Sequence, residues 1–246
     1  VTSDTSKVGV VDYLICCAKS YDLEQMMLEL SPCIDRATVI LPLLNGIDSS
    51  ETIKNIFPQN EVWEGCVYLV SRLTEPGIVK VTGNMSLLFF GSNEGTHEKL
   101  NQLEKIFISA GIEAKLSGNI QQTIWEKFLL ISPIATITSY LNTTIGEVLS
   151  DAENKSLLLS LFAEFRNVAG AKNINFPDHI IERTIDKLKS FPYQITSSMN
   201  SDFQKGKRTE IDSLTGYIVK SGKELNLPVP TYDRLYEELK RRSSKL

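Results

Sequence analysis

Val11-Asp12-Tyr13-Leu14-Ile15-Cys16-Cys17-Ala18-Lys19 is nearly continuous in apolar side chains up to the lysine that ends it. That is the pattern of a strand covered on both faces in a parallel sheet. A helical pattern follows over Tyr21 to Leu30, where Leu23, Met26, Met27 and Leu30 share one side. Ala37-Thr38-Val39-Ile40-Leu41-Pro42-Leu43-Leu44 is a second buried strand, closed by Asn45-Gly46. Ser49 to Ile56 is a short helix with serine caps and Glu51 in its first turn. Strand, helix, strand, helix in this order implies right-handed crossovers and a doubly wound parallel sheet. Ligands of such sheets lie beyond the carboxyl ends of the strands, the ends that Lys19 and Asn45-Gly46 occupy.

Outward from this core, Val62 to Leu73, Gly77 to Thr82 and Ser86 to Phe90 read as antiparallel strands appended to the same sheet, with Glu75-Pro76-Gly77 as a turn. Glu98 to Ala110 is a helix with Leu100, Leu103, Ile106 and Phe107 in register, and Glu113 to Leu116 a last short strand. Ser117-Gly118-Asn119 is the natural boundary. Beyond it helical periodicity runs through Ile120–Tyr140, Asp151–Ala171, Asp178–Phe191, Ile211–Leu225 and Thr231–Ser243, with proline and glycine mainly between the segments. No fixed period recurs, so this half is a bundle and not a repeat array. The expected fold is α/β: a partial Rossmann-like dinucleotide domain over residues 1–118, then an all-α domain over 119–246 that carries the substrate and the chemistry. The opening Val1 to Val10 reads as the middle of a domain.

Bulk properties narrow the function classes. The chain has 246 residues, 42% hydrophobic, with 26 basic and 30 acidic side chains spread along it. A net charge of −4 argues against nucleic acid, which calls for a basic face. No apolar run spans a bilayer and no signal peptide opens the chain, so a cytoplasmic, membrane-free protein is expected. Cys16, Cys17, Cys33 and Cys66 lack zinc-ligand or CxxC spacing and His97 is far from His179, which predicts buried reduced thiols and no metal.

The chemistry concentrates in Ser197-Ser198-Met199-Asn200-Ser201-Asp202-Phe203-Gln204-Lys205-Gly206-Lys207-Arg208-Thr209-Glu210-Ile211-Asp212. It is dense in polar groups, yet Ile211, Leu214 and Ile218 continue it as an apolar helical face. Glu210 therefore stands at a helix start beside a buried stripe, where a carboxylate can meet backbone N–H groups or a ligand. One feature of a dinucleotide domain is missing: no GxGxxG turn occurs.

Ala18-Lys19, Leu44-Asn45-Gly46, Trp125-Glu126-Lys127, and Ser197-Ser198-Met199 with Asp202, Thr209-Glu210-Ile211-Asp212 and Gly216 resemble, in order and spacing, the ketopantoate reductase (2-dehydropantoate 2-reductase) family. Leu227-Pro228-Val229-Pro230-Thr231 fits the family's turn before its last helix. The resemblance runs from about Val11 to the end. It implies a dinucleotide domain followed by a helical domain, with the first two strands and their glycine-rich turn absent here. It further implies NADPH-dependent reduction of ketopantoate to pantoate, on the route to pantothenate and coenzyme A.

Carried over residue by residue, the resemblance makes Lys127 the general acid. A lysine ammonium can both stabilise and protonate the alkoxide that hydride transfer creates. Taken alone, Lys127 reads as a lysine snorkelling from an apolar helix. Glu210 becomes the acidic partner near substrate and cofactor, or simply a helix N-terminal charge. Ser198 binds the substrate carboxylate, or Ser197-Ser198 is only a helix cap. Lys19 and Asn45 lie near the nicotinamide ribose and the substrate. Otherwise Lys19 is a strand terminus and Asn45-Gly46 a turn. Asp212 is assigned a structural role, bonded to backbone groups at its helix start.

Three positions depart from the family's pattern. The asparagines common one and two turns after the acid lysine are Ile131 and Ala135 here, and the family's Asn-Gly-Glu is Ile145-Gly146-Glu147. Loss of such donors weakens binding of a hydroxyl-rich substrate, so a more apolar 2-oxo acid is the rival substrate. A non-catalytic or regulatory relative, and a helical interaction module, are rivals to an enzyme. The choice of NADP over NAD rests on a region after the second strand that this chain does not contain. Apolar helical surface in the second domain would suit a homodimer.

Overall fold

Tyr13–Cys16 forms β1 and Val39–Pro42 forms β2, paired in parallel with Leu14 opposite Ile40. These coordinates belong to a computed structural model that describes residues 2–92 and 97–244. Between the strands run a 3₁₀ turn, Ser20–Asp22, and helix α1, Leu23–Glu29. Helix α2, Ser49–Ile56, leads to the two-residue strand β3, Glu61–Val62, also parallel to β2. All of β2 is buried, and its alternation serves two cores. Val39 and Leu41 pack with Trp63, Leu88, Phe90 and Leu103, while Ile40 packs with Cys16, Met27, Ile53 and Val62.

The remaining strands are not appended to this sheet as expected; they make a second one. β4, Glu64–Glu75, pairs antiparallel with β5, Ile78–Gly91, and β5 pairs in parallel with β6, Ala114–Leu116. Trp63 is the physical cause. Its backbone N–H makes the last bond to Ile40, at 2.9 Å, and its fully buried indole packs among side chains of both sheets, which ends pairing with β2. The two segments expected at Gly77–Thr82 and Ser86–Phe90 run as the single strand β5. The register shifts between them, with Thr82 opposite Val70 and Ser86 opposite Leu69. Helix α3, His97–Ser109, covers β5 and β6 through Leu100, Leu103 and Phe107.

Two expectations about β1 need correction. The strand is not buried on both faces: Ile15 is exposed, because the cover that Trp63 and α3 give Tyr13 stops short of it. Cys17 lies past the strand end and is exposed, whereas Cys16, Cys33 and Cys66 are buried; none of the four is in a disulfide. Burial pushes the Cys16 thiol up to about 12, so it stays protonated and inert.

The chain divides into two units. The α/β unit holds residues up to Leu44 and Ser49–Ile124; the helical unit holds Asn45–Asp48 and the chain from Trp125. The division thus falls inside α4, Ile120–Leu141, slightly later than the glycine at 118 had implied. Then follow α5, Ile145–Ser150; α6, Ala152–Ala171; α7, Ile180–Lys189; and α8, Ser198–Gln204. A π-helical turn, Asp212–Gly216, leads into α9, Tyr217–Glu224, and α10, Pro230–Ser243, ends the series. Leu158, Leu161, Phe162, Phe165, Val168 and Ala169 give α6 a fully buried stripe at helical spacing. Phe165 meets Trp125 and Phe128 of α4 at ring distances of 5.7 and 5.3 Å. Asn142, Asn173 and Asn226 take left-handed φ of 52–63° just past α4, α6 and α9, so asparagine supplies the helix stops that glycine commonly does. Among the described residues, no helix is long and apolar enough to cross a membrane.

Candidate active site

Lys127 lies on α4 one turn after Ile124 and is 7% exposed. Its Nζ donates to Asn45 Oδ1 at 3.0 Å, across 82 residues of sequence. Asn45 belongs to the four-residue segment that follows β2 yet packs with the helical unit. Gly46 makes that path possible: its φ is +98°, and a Cβ there would stand 3.2 Å from Asp48 Oδ1 and 3.6 Å from the backbone oxygen of Ser213. Desolvating an ammonium is costly, so the neutral amide oxygen and further polar contacts of Lys127 are what keep its charge tolerable at this depth.

Glu210 is 4% exposed and lies two residues before the π-helical turn, with Ile211 between them. Its backbone oxygen accepts from Leu214 N at 3.0 Å and from Ser213 Oγ at 3.2 Å. Ser213, also buried, lies against Gly46, so the π turn and the Asn45 segment meet. Thr209, beside Glu210, is buried and its hydroxyl has no hydrogen-bond partner. Such an orphan is uncommon and marks a place where a ligand or water can bond.

Ser197 and Ser198 part company. Ser197 is the N-cap of α8: its Oγ accepts from Asn200 N at 3.0 Å and pairs with Thr138 Oγ1 of α4 at 2.7 Å. Ser198 is therefore released from capping and is exposed at the first helical position. Lys19 caps the 3₁₀ turn after β1 and belongs to the α/β unit, where it has polar contacts of its own. Asp212 is structural, but through side chains and not through backbone groups: it accepts from Tyr236 Oη at 2.6 Å and from Lys240 Nζ at 3.0 Å, tying the π turn to α10.

Of the departures, Ala135 and Ile145 are buried and Ile131 is half-buried. Lys127, Ile131 and Ala135 are successive i+4 positions on α4, so an apolar stripe runs from the ammonium along the helix. Sequence reasoning passed over Ser213, Glu164 and a set of buried hydroxyls on α4. The signal for the last was present: Ser132, Thr136 and Ser139 recur at helical spacing within an otherwise apolar run.

Comparison with known proteins places the fold. The family description "Ketopantoate reductase PanE/ApbA C terminal" matches residues 119–243, and "Ketopantoate reductase PanE/ApbA" matches residues 1–95. An uncharacterized oxidoreductase of Bacillus subtilis, YkpB, is 28% identical over 95% of this chain and 77% of its own length. A 2-dehydropantoate 2-reductase of Lactococcus lactis is 27% identical over 95% of this chain and 76% of its own. Among solved structures, 2-dehydropantoate 2-reductase of Porphyromonas gingivalis is 34% identical with a TM-score of 0.80, covering 96% of this chain and 75% of that one. A D-mandelate dehydrogenase solved with NADH and anilino(oxo)acetate shares the fold at a TM-score of 0.87 and 24% identity, over 96% of this chain and 77% of its own. An α/β unit of the Rossmann type followed by a helical unit, with matches along nearly its full extent, makes this chain a member of the ketopantoate reductase family.

Proposed function

We propose that this protein reduces a 2-oxo acid, 2-dehydropantoate in the first instance, to the 2-hydroxy acid with NADPH as hydride source. The observation that carries the reading is the buried Lys127 held 3.0 Å from Asn45 within the helical unit, in a chain whose curated relatives are oxidoreductases. A nicotinamide nucleotide fits the residues present. Asn45 follows the carboxyl end of a parallel strand, and the orphan hydroxyl of Thr209 beside Glu210 is a buried group in need of a partner.

When bound, the reduced nicotinamide supplies the hydride to the ketone carbon. The chain's own residues do the rest. Lys127 Nζ stabilises the charge growing on the ketone oxygen and gives it a proton; solvent then restores the ammonium. Asn45 Oδ1 holds Nζ in place, which limits the orientations it must search. Glu210 accepts from a hydroxyl of the substrate or the nucleotide, and exposed Ser198 donates to the substrate carboxylate. Lys19 serves the nucleotide from the end of β1.

A second reading concerns the substrate alone. The apolar stripe of Ile131 and Ala135 beyond Lys127 favours a 2-oxo acid with an apolar side group over one with a hydroxyl. The same proposal carries a homodimer, supported by Leu159 and Tyr193 exposed on the helical unit, and a cytoplasmic location. Light scattering would test the dimer.

The deciding experiment is NADPH and NADH oxidation by the purified protein with 2-dehydropantoate and with branched and aromatic 2-oxo acids. Turnover is expected to fall by about 10²–10⁴ in Lys127→Met, which keeps the chain length and removes the charge. Undiminished turnover in that variant would remove Lys127 from the chemistry. Absence of turnover with every acid, while the nucleotide still binds, would leave the non-catalytic relative as the better reading.

A further inference from the structure

Four hydroxyls inside the helical unit form two short relays, each with a definite direction, that meet only at the backbone of Ser132. Ser132, Thr136, Thr215 and Tyr232 are all fully buried. Ser132 Oγ lies 2.8 Å from the backbone oxygen of Leu214 and 2.9 Å from Tyr232 Oη. Thr136 Oγ1 lies 2.8 Å from the backbone oxygen of Ser132 and 2.8 Å from Thr215 Oγ1. A hydroxyl has one proton to give. A carbonyl only accepts, so Ser132 donates to Leu214 and must accept from Tyr232. By the same count Thr136 donates to the backbone oxygen of Ser132 and accepts from Thr215. Every proton is placed and every buried oxygen here has a partner, the condition under which a polar network rigidifies a core. Burial holds the Tyr232 phenol well above its ordinary value, so its proton is retained as this order requires.

The elements that these two relays join matter for chemistry. Ser132 and Thr136 sit on α4, five and nine residues after Lys127. Leu214 and Thr215 lie in the π-helical turn Asp212–Gly216, which begins two residues after Glu210. A π turn accommodates one residue more than an α-helix does and persists only where tertiary contacts hold it. Its relaxation to α-helix would turn Glu210 and Ser213 by about 100° relative to α9, the angle one residue subtends. Ser213 abuts Gly46, and Gly46 follows Asn45, the partner of Lys127.

We infer that Ser132, Thr136, Thr215 and Tyr232 are positioning residues: their two hydroxyl relays lock the π turn onto α4, and through Ser213 and Gly46 they set where Asn45 meets Lys127. The inference rests on the role proposed for Lys127, but its test does not depend on turnover. In the full-length protein carrying ¹³Cε-lysine, the Lys127 resonance is assigned with Lys127→Arg and titrated in wild type, Tyr232→Phe and Thr215→Val. The control is Thr184→Val, which deletes a buried hydroxyl that bonds only within its own helix, to Ile180 O at 2.8 Å. Tyr232→Phe and Thr215→Val are expected to move the Lys127 midpoint by about half a pH unit or more, since its partner and surroundings shift. Thr184→Val is expected to leave it in place. In the reductase assay the two relay variants are expected to lose about tenfold in kcat, with KM for the 2-oxo acid changed by less than about threefold. A Lys127 signal that stays put in folded Tyr232→Phe and Thr215→Val, whatever their loss of stability, would overturn the inference. A wild-type protein without reductase activity would sink the functional reading and leave the titration to decide this one.

Discussion

Glu164 offers a sharp test of how the helical unit is held together. Its carboxylate, buried on α6, accepts from Thr231 N at 2.8 Å and from Tyr232 N at 2.9 Å at the start of α10. The donors at that helix start can be counted. Pro230 has none, and Asp233 N bonds to Val229 O at 2.9 Å. Glu164 thus satisfies the two N–H groups that remain and places a negative charge at the positive end of the helix. Glu164→Ala strands both donors. Bonds to a charged acceptor are worth about 1.5–3 kcal/mol each. The two share one carboxylate and are not additive, so a total of about 3–4 kcal/mol is expected. For a chain of this size each kcal/mol lowers Tm by about 2–4 °C, which gives a fall of roughly 6–16 °C. Glu164→Gln keeps one acceptor oxygen and turns its NH₂ toward the other donor, so its loss should fall about midway. Thermal melts followed by circular dichroism, paired with urea titrations, measure both. An alanine variant within about 1 kcal/mol of wild type would refute the donor count and the importance of this cap.

Three further outcomes are expected. Burial raises the Glu64 carboxyl above its ordinary value of 4.5, against the opposing influence of Lys54 and of the Gln121 amide that donates to it. The folded state therefore holds that proton more tightly than the unfolded chain and is penalised once pH exceeds both values. Glu64→Gln should raise Tm at neutral pH, with the gain vanishing below about pH 4; a gain independent of pH would contradict this. Gly65→Ala would place a Cβ 2.7 Å from Leu43 Cδ2 and 3.1 Å from the backbone oxygen of Phe89, so a loss of about 1–3 kcal/mol should appear as a lower urea midpoint at unchanged slope. Phe165→Ala, which removes the ring between Trp125 and Phe128, should cost about 3–5 kcal/mol by the same titration.

The longer helices were legible because their burial repeats at a period that sequence displays directly; α6 and α4 start and stop within a few residues of where apolar spacing placed them, whereas α5 and α8, of six and seven residues, are too short to show a period. β2 was legible for a similar reason, as a short run apolar on both faces. What escaped reading depends on partners distant in sequence. The end of the first sheet turns on Trp63 entering a core with Leu88 and Phe90. The π turn differs from an α-helix by a single residue, which Ile211, Leu214 and Ile218 cannot reveal since their spacing suits both. Lys127 and Asn45 were each visible as candidates through the resemblance, but their direct bond follows from the path of the chain after β2. Ser197 and Ser198 were indistinguishable as a dipeptide; only α8 decides which one caps.

The segment Asn45–Asp48 belongs to the helical unit although α/β residues flank it on both sides. The polypeptide consequently passes between the units three times: at 44/45, at 48/49 and within α4 at 124/125. No single cut yields an intact helical half, because the amide facing Lys127 is encoded some eighty residues upstream of it. A recombinant chimera that exchanges only the downstream portion with a relative would inherit a lysine from one parent and its partner from the other. Successful module exchange in this architecture must transplant four residues from the opposite half, and inheritance of the two halves is coupled accordingly.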